Sequence, residues 1–218
     1  MKKLILLFAA IMMASAGLWA ETVDYLYPVY NTDGVPTSGI KEWKTASVDA
    51  TVVTDASEPV TWTAGWYVVK GSDVTLSQGA ICSGNVNLIL ADGAKLTVTG
   101  INDYPVFSPG IQVSGDGNSL TVYGQTAQTG ILKATGFTYS AGIGGISTNG
   151  LRDGSNITIN GGTITADGGS QAAAIGGGLR GNGSNITING GTVTARGSAA
   201  GIGGGCYGNG TNITINGG

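Results

Sequence analysis

The sequence contains no histidine among its 218 residues. Imidazole is the side chain that most often acts as a general base near neutral pH, and it is the commonest metal ligand in proteins. Its absence excludes Ser-His-Asp and Cys-His catalytic sets, and it also excludes histidine-based zinc or haem sites.

Charged and aromatic residues are also scarce, at 11% and 7% of the chain. Hydrophobic residues nevertheless make up 41%, which is too apolar for a chain that stays disordered. Glycine is abundant, with 40 residues, but it does not fall on every third position, so a collagen helix is excluded. The composition therefore indicates a folded, glycine-rich protein.

The first twenty residues have the pattern of a secretory signal peptide. Lys2 and Lys3 precede an unbroken apolar run at residues 4–13, and small residues end the segment before the acidic Glu21. A transmembrane helix is the less favoured alternative because the run is short. We predict a secreted or cell-surface protein with no membrane span in the mature chain. Without Lys2 and Lys3, the chain has 8 basic and 13 acidic residues, and this excess of acidic residues argues against a nucleic-acid partner.

An internal repeat is the strongest signal in the sequence. Residues 155–166, Ser-Asn-Ile-Thr-Ile-Asn-Gly-Gly-Thr-Ile-Thr-Ala, recur at residues 184–195 with one change and again in part at residues 211–218. The offsets are 29 and 27 residues, and more divergent upstream copies have offsets of 32 and 37. A second motif, Ala-Ile-Gly-Gly-Gly at residues 174–178, alternates with these blocks. About five extra residues upstream are expected in a surface loop at residues 124–130.

The local pattern of the repeat predicts short strands. Apolar and polar residues alternate at period two, β-branched residues are frequent, and each run ends at glycine. We predict an all-β fold, a parallel, right-handed β-helix (solenoid) with coils of about 27–32 residues. Isoleucines would stack inward, and asparagines would form hydrogen-bonded ladders at corners. The predicted stacks are Ile157, Ile186 and Ile213; Asn156, Asn185 and Asn212; and Asn160, Asn189 and Asn216.

The chain is predicted to have three parts. Residues 1–20 are the signal peptide, residues 21–60 are an N-terminal lead-in or cap over the first coil, and residues 61–218 are the β-helix. We expect that the β-helix is truncated at the C terminus, because the sequence stops in mid-repeat. Asp92-Gly93 is by itself a hairpin signal, but we favour a corner between parallel strands there.

Three other motifs are interpreted as structural. Cys82 and Cys206 would lie several coils apart, so we expect two separate thiols and no disulfide bond. Gly-Ile-Gly at residues 201–203 lacks the third glycine and the following helix of a dinucleotide-binding loop. The Asn-Ile-Thr triplets that begin at Asn156 match the glycosylation signal, and we interpret them as strand repeats.

Several blocks of sequence carry a family resemblance. They are Gly-Trp-Tyr-Val-Val at residues 65–69, Asn-Leu-Ile-Leu-Ala-Asp-Gly at residues 87–93, Asn-Ser-Leu-Thr-Val-Tyr-Gly at residues 118–124, and the repeats described above. These blocks resemble the glycine-rich repeat regions of large proteins that gut bacteria secrete or display. Over residues 62–218 the chain is similar to β-helical carbohydrate-binding domain proteins. The resemblance implies a parallel β-helix and a carbohydrate partner, and it transfers no individual binding residue.

Aromatic residues are the best candidates for a binding role. An exposed ring stacks on the apolar face of a sugar while its polar tip forms hydrogen bonds. Tyr139 and Tyr207 fall near the glycine-rich segments and are the preferred carbohydrate-binding candidates, followed by Trp66 and Tyr123. The alternative role for Trp66 is to seal the first coil.

Acidic residues are few in the repeat region, which gives an active site little support. Many parallel β-helix proteins are polysaccharide lyases or glycoside hydrolases, and these need clustered carboxylates. Asp116 and Asp153 would meet on one face if their coils stack in register, giving a calcium or acid/base site. The alternative for this pair is two solvated loop carboxylates. We predict no catalytic residue and no cofactor.

The predicted function is that of a non-enzymatic, secreted or cell-surface module. It would bind a polysaccharide or a host-surface glycan, or serve as an adhesin or structural stalk. A polysaccharide lyase or glycoside hydrolase of the same fold is the alternative. The outward threonines Thr163 and Thr165 leave an ice-binding solenoid as a remote alternative.

Overall fold

The computed structural model describes residues 20–30, 40–103, 106–146 and 152–218. Of the predicted signal peptide, all but Ala20 lies outside the described residues. The described part of the chain forms nineteen strands and no helix. The strands are β1 (Ala20–Tyr30), β2 (Ile40–Val52), β3 (Val60–Val69), β4 (Val74–Leu76), β5 (Ala80–Leu90), β6 (Lys95–Thr99), β7 (Asn102–Asp103), β8 (Val106–Phe107), β9 (Ile111–Gln112), β10 (Ser119–Gly124), β11 (Ile131–Thr135), β12 (Ile143–Gly144), β13 (Gly154–Ile159), β14 (Thr163–Asp167), β15 (Ile175–Gly176), β16 (Gly183–Ile188), β17 (Thr192–Arg196), β18 (Ile202–Gly203) and β19 (Gly210–Ile215).

Three stacks of parallel strands form the walls of a β-helix. The asparagine wall consists of the second halves of β3 and β5, followed by β10, β13, β16 and β19. The threonine wall consists of β4, β6, β11, β14 and β17. The glycine wall consists of the start of β5, followed by β9, β12, β15 and β18. Because each full coil passes through the three walls in turn, the predicted all-β parallel fold is confirmed.

The coils differ in length along the molecule. Ile157 pairs with Ile186 and Ile186 with Ile213, which gives the predicted offsets of 29 and 27 residues. The first coil is shorter, since Gly65 pairs with Val86, 21 residues later. The step from β5 to β10 is longer because it contains the antiparallel β7–β8 pair. The loop between β10 and β11 holds the extra residues, as predicted, and Asp92-Gly93 lies at a corner, since β5 and β6 belong to different walls.

The core consists of inward side chains that recur at the same level in successive coils. Ile157, Ile159 and Ile164 are fully buried, whereas Thr163 and Thr165 alternate with Ile164 and are partly exposed. Burying an isoleucine contributes about 1.5–3 kcal/mol. A side chain that packs against its own copy must keep its volume, which accounts for the near-identity of the repeats.

Glycine is required in the glycine wall because the backbones of adjacent coils approach each other closely there. Gly144, Gly176 and Gly203 have φ angles of 137°, 129° and 136°, a region that other residues rarely adopt. A Cβ atom on Gly144 would lie 2.0 Å from the carbonyl oxygen of Gly176, and one on Gly176 would lie 2.0 Å from that of Gly203. The glycine motif therefore serves the stacking of coils.

Strands β1 and β2 pair antiparallel, and this pair, called here the β1–β2 hairpin, lies along the axis of the β-helix. At one end Thr51 and Val52 pair with β3, the first strand of the asparagine wall. Towards the other end Trp43 contacts Gly190, just after β16. The strand from Trp43 to Thr51 spans about 26 Å, close to the five strand spacings of ~4.8 Å that separate β2 from β16. The described part of residues 21–60 thus covers the side of the solenoid as well as its first edge.

Both cysteines are free thiols, as predicted. Cys82 is buried, and this burial raises the pKa of its thiol to about 12, whereas Cys206 is partly exposed. Because the thiolate is the reactive form, we expect iodoacetamide at mildly alkaline pH to alkylate Cys206 and spare Cys82 in the native protein. Peptide mass spectrometry measures both sites, and the denatured protein, in which both should react, is the control. Equal native rates at the two sites would contradict the burial of Cys82.

Candidate functional site

A cleft of about 490 Å³ separates the β1–β2 hairpin from one corner of the β-helix. We call it the hairpin–turn cleft. Its volume lies within the range of natural ligand sites, roughly 300–1,000 Å³. The hairpin side of the cleft is lined by Leu26, Ile40, Glu42 and Trp43. The corner side is lined by Gln128, Asn160, Asn189, Gly190, Gly191, Asn216, Gly217 and Gly218. The corner side is therefore built largely from the three stacked Asn-Gly-Gly turns that follow β13, β16 and β19.

An asparagine ladder holds these three turns in register. Nδ2 of Asn189 donates to Oδ1 of Asn160 at 2.8 Å, and Nδ2 of Asn216 donates to Oδ1 of Asn189 at 2.8 Å. Asn160 and Asn189 are 5% and 2% exposed, and buried amides of this kind need such partners. The floor of the cleft consequently repeats the same polar turn once per coil, at the strand spacing of ~4.8 Å.

The glycine after each asparagine leaves room beside its turn, and different groups fill that room on successive coils. On the first turn, the amide of Gln128 lies against Gly161 and accepts a 2.6 Å hydrogen bond from the turn's backbone. On the second turn, the Trp43 indole lies against Gly190, where a Cβ atom would be 2.9 Å from Cζ2 of the ring. On the third turn, a Cβ atom on Gly217 would meet only the backbone of the preceding turn. Among the described residues, no side chain fills the room beside Gly217.

The cleft carries little net charge. Glu42 is the one charged side chain among its lining residues. Nζ of Lys44 lies 3.1 Å from Oε1 of Glu42, and both side chains are about half exposed. A pair this exposed adds little stability, but it balances the carboxylate. The cleft therefore offers an aromatic ring, uncharged amides and peptide groups.

The two preferred aromatic candidates lie at corners beside the glycine wall, two coils apart. Tyr207 is 86% exposed, and Tyr139 is partly buried. Both residues have positive φ angles, 65° and 67°, at their corners. Tyr139 precedes β12 and Tyr207 follows β18, two coils further along the axis. The turn after β15 lies between them: the backbone nitrogen of Leu179 donates to the backbone oxygen of Tyr139 at 2.9 Å, and that of Arg180 donates to the backbone oxygen of Cys206 at 2.9 Å.

The other two aromatic candidates pack beneath the hairpin. The rings of Trp66 and Tyr123 are 5.1 Å apart between centroids, and Tyr25 of β1 lies 4.6 Å and 4.8 Å from them. Burial is the main reason why the pKa of Tyr123 is raised to about 12. Nε2 of Gln125 also donates to the backbone oxygen of Asp24 at 2.8 Å. These contacts attach the base of the hairpin to the asparagine wall and use most of the surface of the rings.

Asp116 and Asp153 line the same polar cavity, which has a volume of about 320 Å³. Oδ1 of Asp153 accepts a hydrogen bond from the backbone nitrogen of Asn182 at 2.7 Å, and Oδ1 of Asn182 accepts one from that of Asn209 at 2.9 Å. Asp153 thus begins a third ladder, which links corners of successive coils. In the described ranges, no group of three or more histidine, cysteine, aspartate or glutamate residues is placed to hold a metal ion.

The predicted stacks of Asn156, Asn185 and Asn212 and of the isoleucines that follow them belong to strands of the asparagine wall. Nδ2 of Asn185 donates to Oδ1 of Asn156 at 3.1 Å, and Nδ2 of Asn212 donates to Oδ1 of Asn185 at 3.1 Å. All three residues have φ angles between 51° and 57°, which asparagine tolerates better than most residues. Ile157, Ile186 and Ile213 follow them and pair in register. The Asn-Ile-Thr triplets are accordingly structural elements of the strands.

Comparison with known proteins identifies the repeat. A family model described as a beta helix repeat matches residues 157–179 and 186–206. These two segments each contain strands of all three walls. These two segments are similar to beta helix repeats, in agreement with the parallel β-helix fold described above. No curated protein and no solved structure matches it.

Trp43 and Gln128 line the cleft, but the sequence did not predict either of them as a site residue. Trp43 and Asn160 are more than 100 residues apart in the chain, and no local pattern indicates which segment covers the Asn-Gly-Gly turns. The feature that could have indicated a binding role is the tryptophan itself, which lies in the segment predicted to be an N-terminal lead-in or cap. Among the residues whose structure is described, no helix is long and apolar enough to cross a membrane.

Proposed function

We propose that this β-helical protein is a secreted or surface-displayed, non-enzymatic module that binds carbohydrate in the hairpin–turn cleft. The observation that carries the proposal is the position of Trp43. Its side chain is 37% exposed and lies beside the turn at Gly190 and a row of peptide and amide groups. A ring of this kind stacks on a sugar, and amides form hydrogen bonds with its hydroxyl groups.

The N-terminal sequence supports an extracytoplasmic location. A positive start, a short apolar run and small residues are the signature of an exported chain, and surface glycans and polysaccharides are found outside the cell. The proposal keeps the carbohydrate partner expected from the sequence and moves the principal site from Tyr139 and Tyr207 to Trp43.

Binding without cleavage is supported by the distribution of carboxylates. Glycoside hydrolysis needs two carboxyl groups on either side of the scissile bond, and among the described residues that line the cleft Glu42 is the one carboxylate. The carboxylate of Asp153, in the other cavity, already accepts a hydrogen bond from the next corner. We accordingly propose that binding needs neither calcium nor another cofactor.

Retention of the purified protein on a broad glycan array, with and without calcium, tests the proposal. We expect saturable binding that is independent of calcium and releases no new sugar ends. Trp43→Ala should weaken binding about tenfold or more, because a partly buried aromatic side chain often supplies much of a binding free energy. Circular dichroism checks that the variant keeps its β-sheet content.

Tyr207→Ala is the matched control, since it removes an aromatic ring that is exposed but lies outside the cleft. We expect its affinity to equal that of the unmodified protein. Loss of binding in Tyr207→Ala or Tyr139→Ala, with binding kept in Trp43→Ala, would place the site at the glycine wall. A blank array with a well-folded protein would overturn the glycan function, and cleavage of a glycan would overturn the non-enzymatic one.

A further inference from the structure

The hairpin–turn cleft is a groove that runs along the β-helix axis. One side is the β1–β2 hairpin, which extends from the first edge of the asparagine wall to Gly190. The other side is the stack of turns at Asn160, Asn189 and Asn216, whose ladder follows the same axis. A linear ligand that crossed the groove at a right angle would collide with the hairpin or the turns, so an extended ligand must lie along the axis.

The floor of the groove is periodic. Equivalent turns recur every ~4.8 Å, which is close to the length of one pyranose unit in an extended polysaccharide. From Gln128 past Trp43 to Gly217, the groove covers three turn levels. An extended polymer with a matching unit length would place one sugar unit at each level in turn.

The charge of the groove selects against acidic sugars. Uronates and sulfated sugars are recognised by arginine or lysine side chains, and none is present among the described residues that line the groove. Nζ of Lys44 is paired with the carboxylate of Glu42. The chain as a whole carries a formal net charge of −3, which also repels polyanions.

We infer that the ligand is an extended, uncharged polysaccharide that lies parallel to the β-helix axis, with about one sugar unit facing each Asn-Gly-Gly turn. The inference rests on the proposed function and specifies its ligand class and direction. Trp43 stacks on the unit that faces the turn at Gly190.

Isothermal titration with linear gluco- and manno-oligosaccharides of increasing length, and with oligogalacturonides, tests the inference on the full chain. For the neutral series we expect affinity to rise with each added unit over at least the first three, one for each turn level that lines the cleft. Oligogalacturonides should bind at least about tenfold more weakly. Gly217→Ala, which places a methyl group beside the third turn, should reduce the gain from the third unit and leave shorter oligosaccharides unaffected.

The outcomes separate the inference from the proposed function. Tighter binding of oligogalacturonides that Trp43→Ala abolishes would overturn the uncharged ligand and leave the carbohydrate site in place. Affinity that does not change with length would overturn the axial alignment. Binding of no saccharide at any length would overturn the proposed function itself.

Discussion

Gly176→Ala is expected to destabilise the protein by about 3 kcal/mol or more, or to prevent it from folding. The φ angle of this residue is 129°, and a Cβ atom there would lie 2.0 Å from the carbonyl oxygen of Gly203 in the next coil. The strained backbone and the steric overlap each cost about 1–3 kcal/mol. The overlap involves main-chain atoms on both sides, so no side-chain rotation relieves it.

Urea denaturation followed by circular dichroism measures this effect, and Gly201→Ala is its matched control. Gly201 lies two residues before Gly203 in the same wall, has no positive φ angle, and corresponds to Ala174 in the preceding coil. Because alanine already occupies the equivalent position there, Gly201→Ala should change the stability by less than about 1 kcal/mol. If Gly176→Ala were as stable as Gly201→Ala, the coils would have to be further apart than the structure places them.

The contrast between Gly176 and Gly201 shows which part of the fold can be predicted from the sequence. Alternation at period two and a recurring block identify parallel strands, and the offset between copies gives the coil length. Ala174 and Gly176 look equivalent within a motif of small residues, although the first position accommodates a side chain and the second does not. The difference depends on the distance to the next coil, and a single sequence does not contain that distance.

The hairpin was harder to predict for a different reason. Residues 21–60 lack the repeat, so their position relative to the coils depends on long-range packing alone. That packing consists of the Tyr25, Trp66 and Tyr123 cluster at one end and the contact of Trp43 with Gly190 at the other. Two aromatic residues that looked like sugar-binding candidates are therefore used to hold the hairpin, and the tryptophan within the hairpin faces the cleft.

The asparagines were more predictable because their partners are copies of themselves. An amide that stacks on the same amide in the next coil needs no information from outside the repeat, so the positions of both asparagine ladders followed from the offsets. The Asp153 ladder was missed since its hydrogen bonds run from side chain to backbone and its members differ, with aspartate in one coil and asparagine in the next two.

Ile159→Ala is expected to cost about 2–5 kcal/mol, the usual range when a buried isoleucine is truncated and leaves a cavity. Ile159 is fully buried between Val122 of the preceding coil and Ile188 of the following one. In a solenoid, stability is close to a sum over neighbouring repeats, so a cavity at this level weakens two coil-to-coil interfaces. The midpoint of urea unfolding, with native-state hydrogen exchange of β13 and β16, measures the loss.

Ile215→Ala is the control in the same stack. Ile215 pairs with Ile188 on one side and is 64% exposed, so its truncation removes much less buried surface and should cost under about 1 kcal/mol. The ratio of the two effects tests the inward stacking directly. Similar losses of stability for the two variants would contradict the burial of Ile159 between adjacent coils. A large loss for Ile159→Ala alone would show that the stacked side chains between Val122 and Ile188 contribute strongly to the stability of the β-helix.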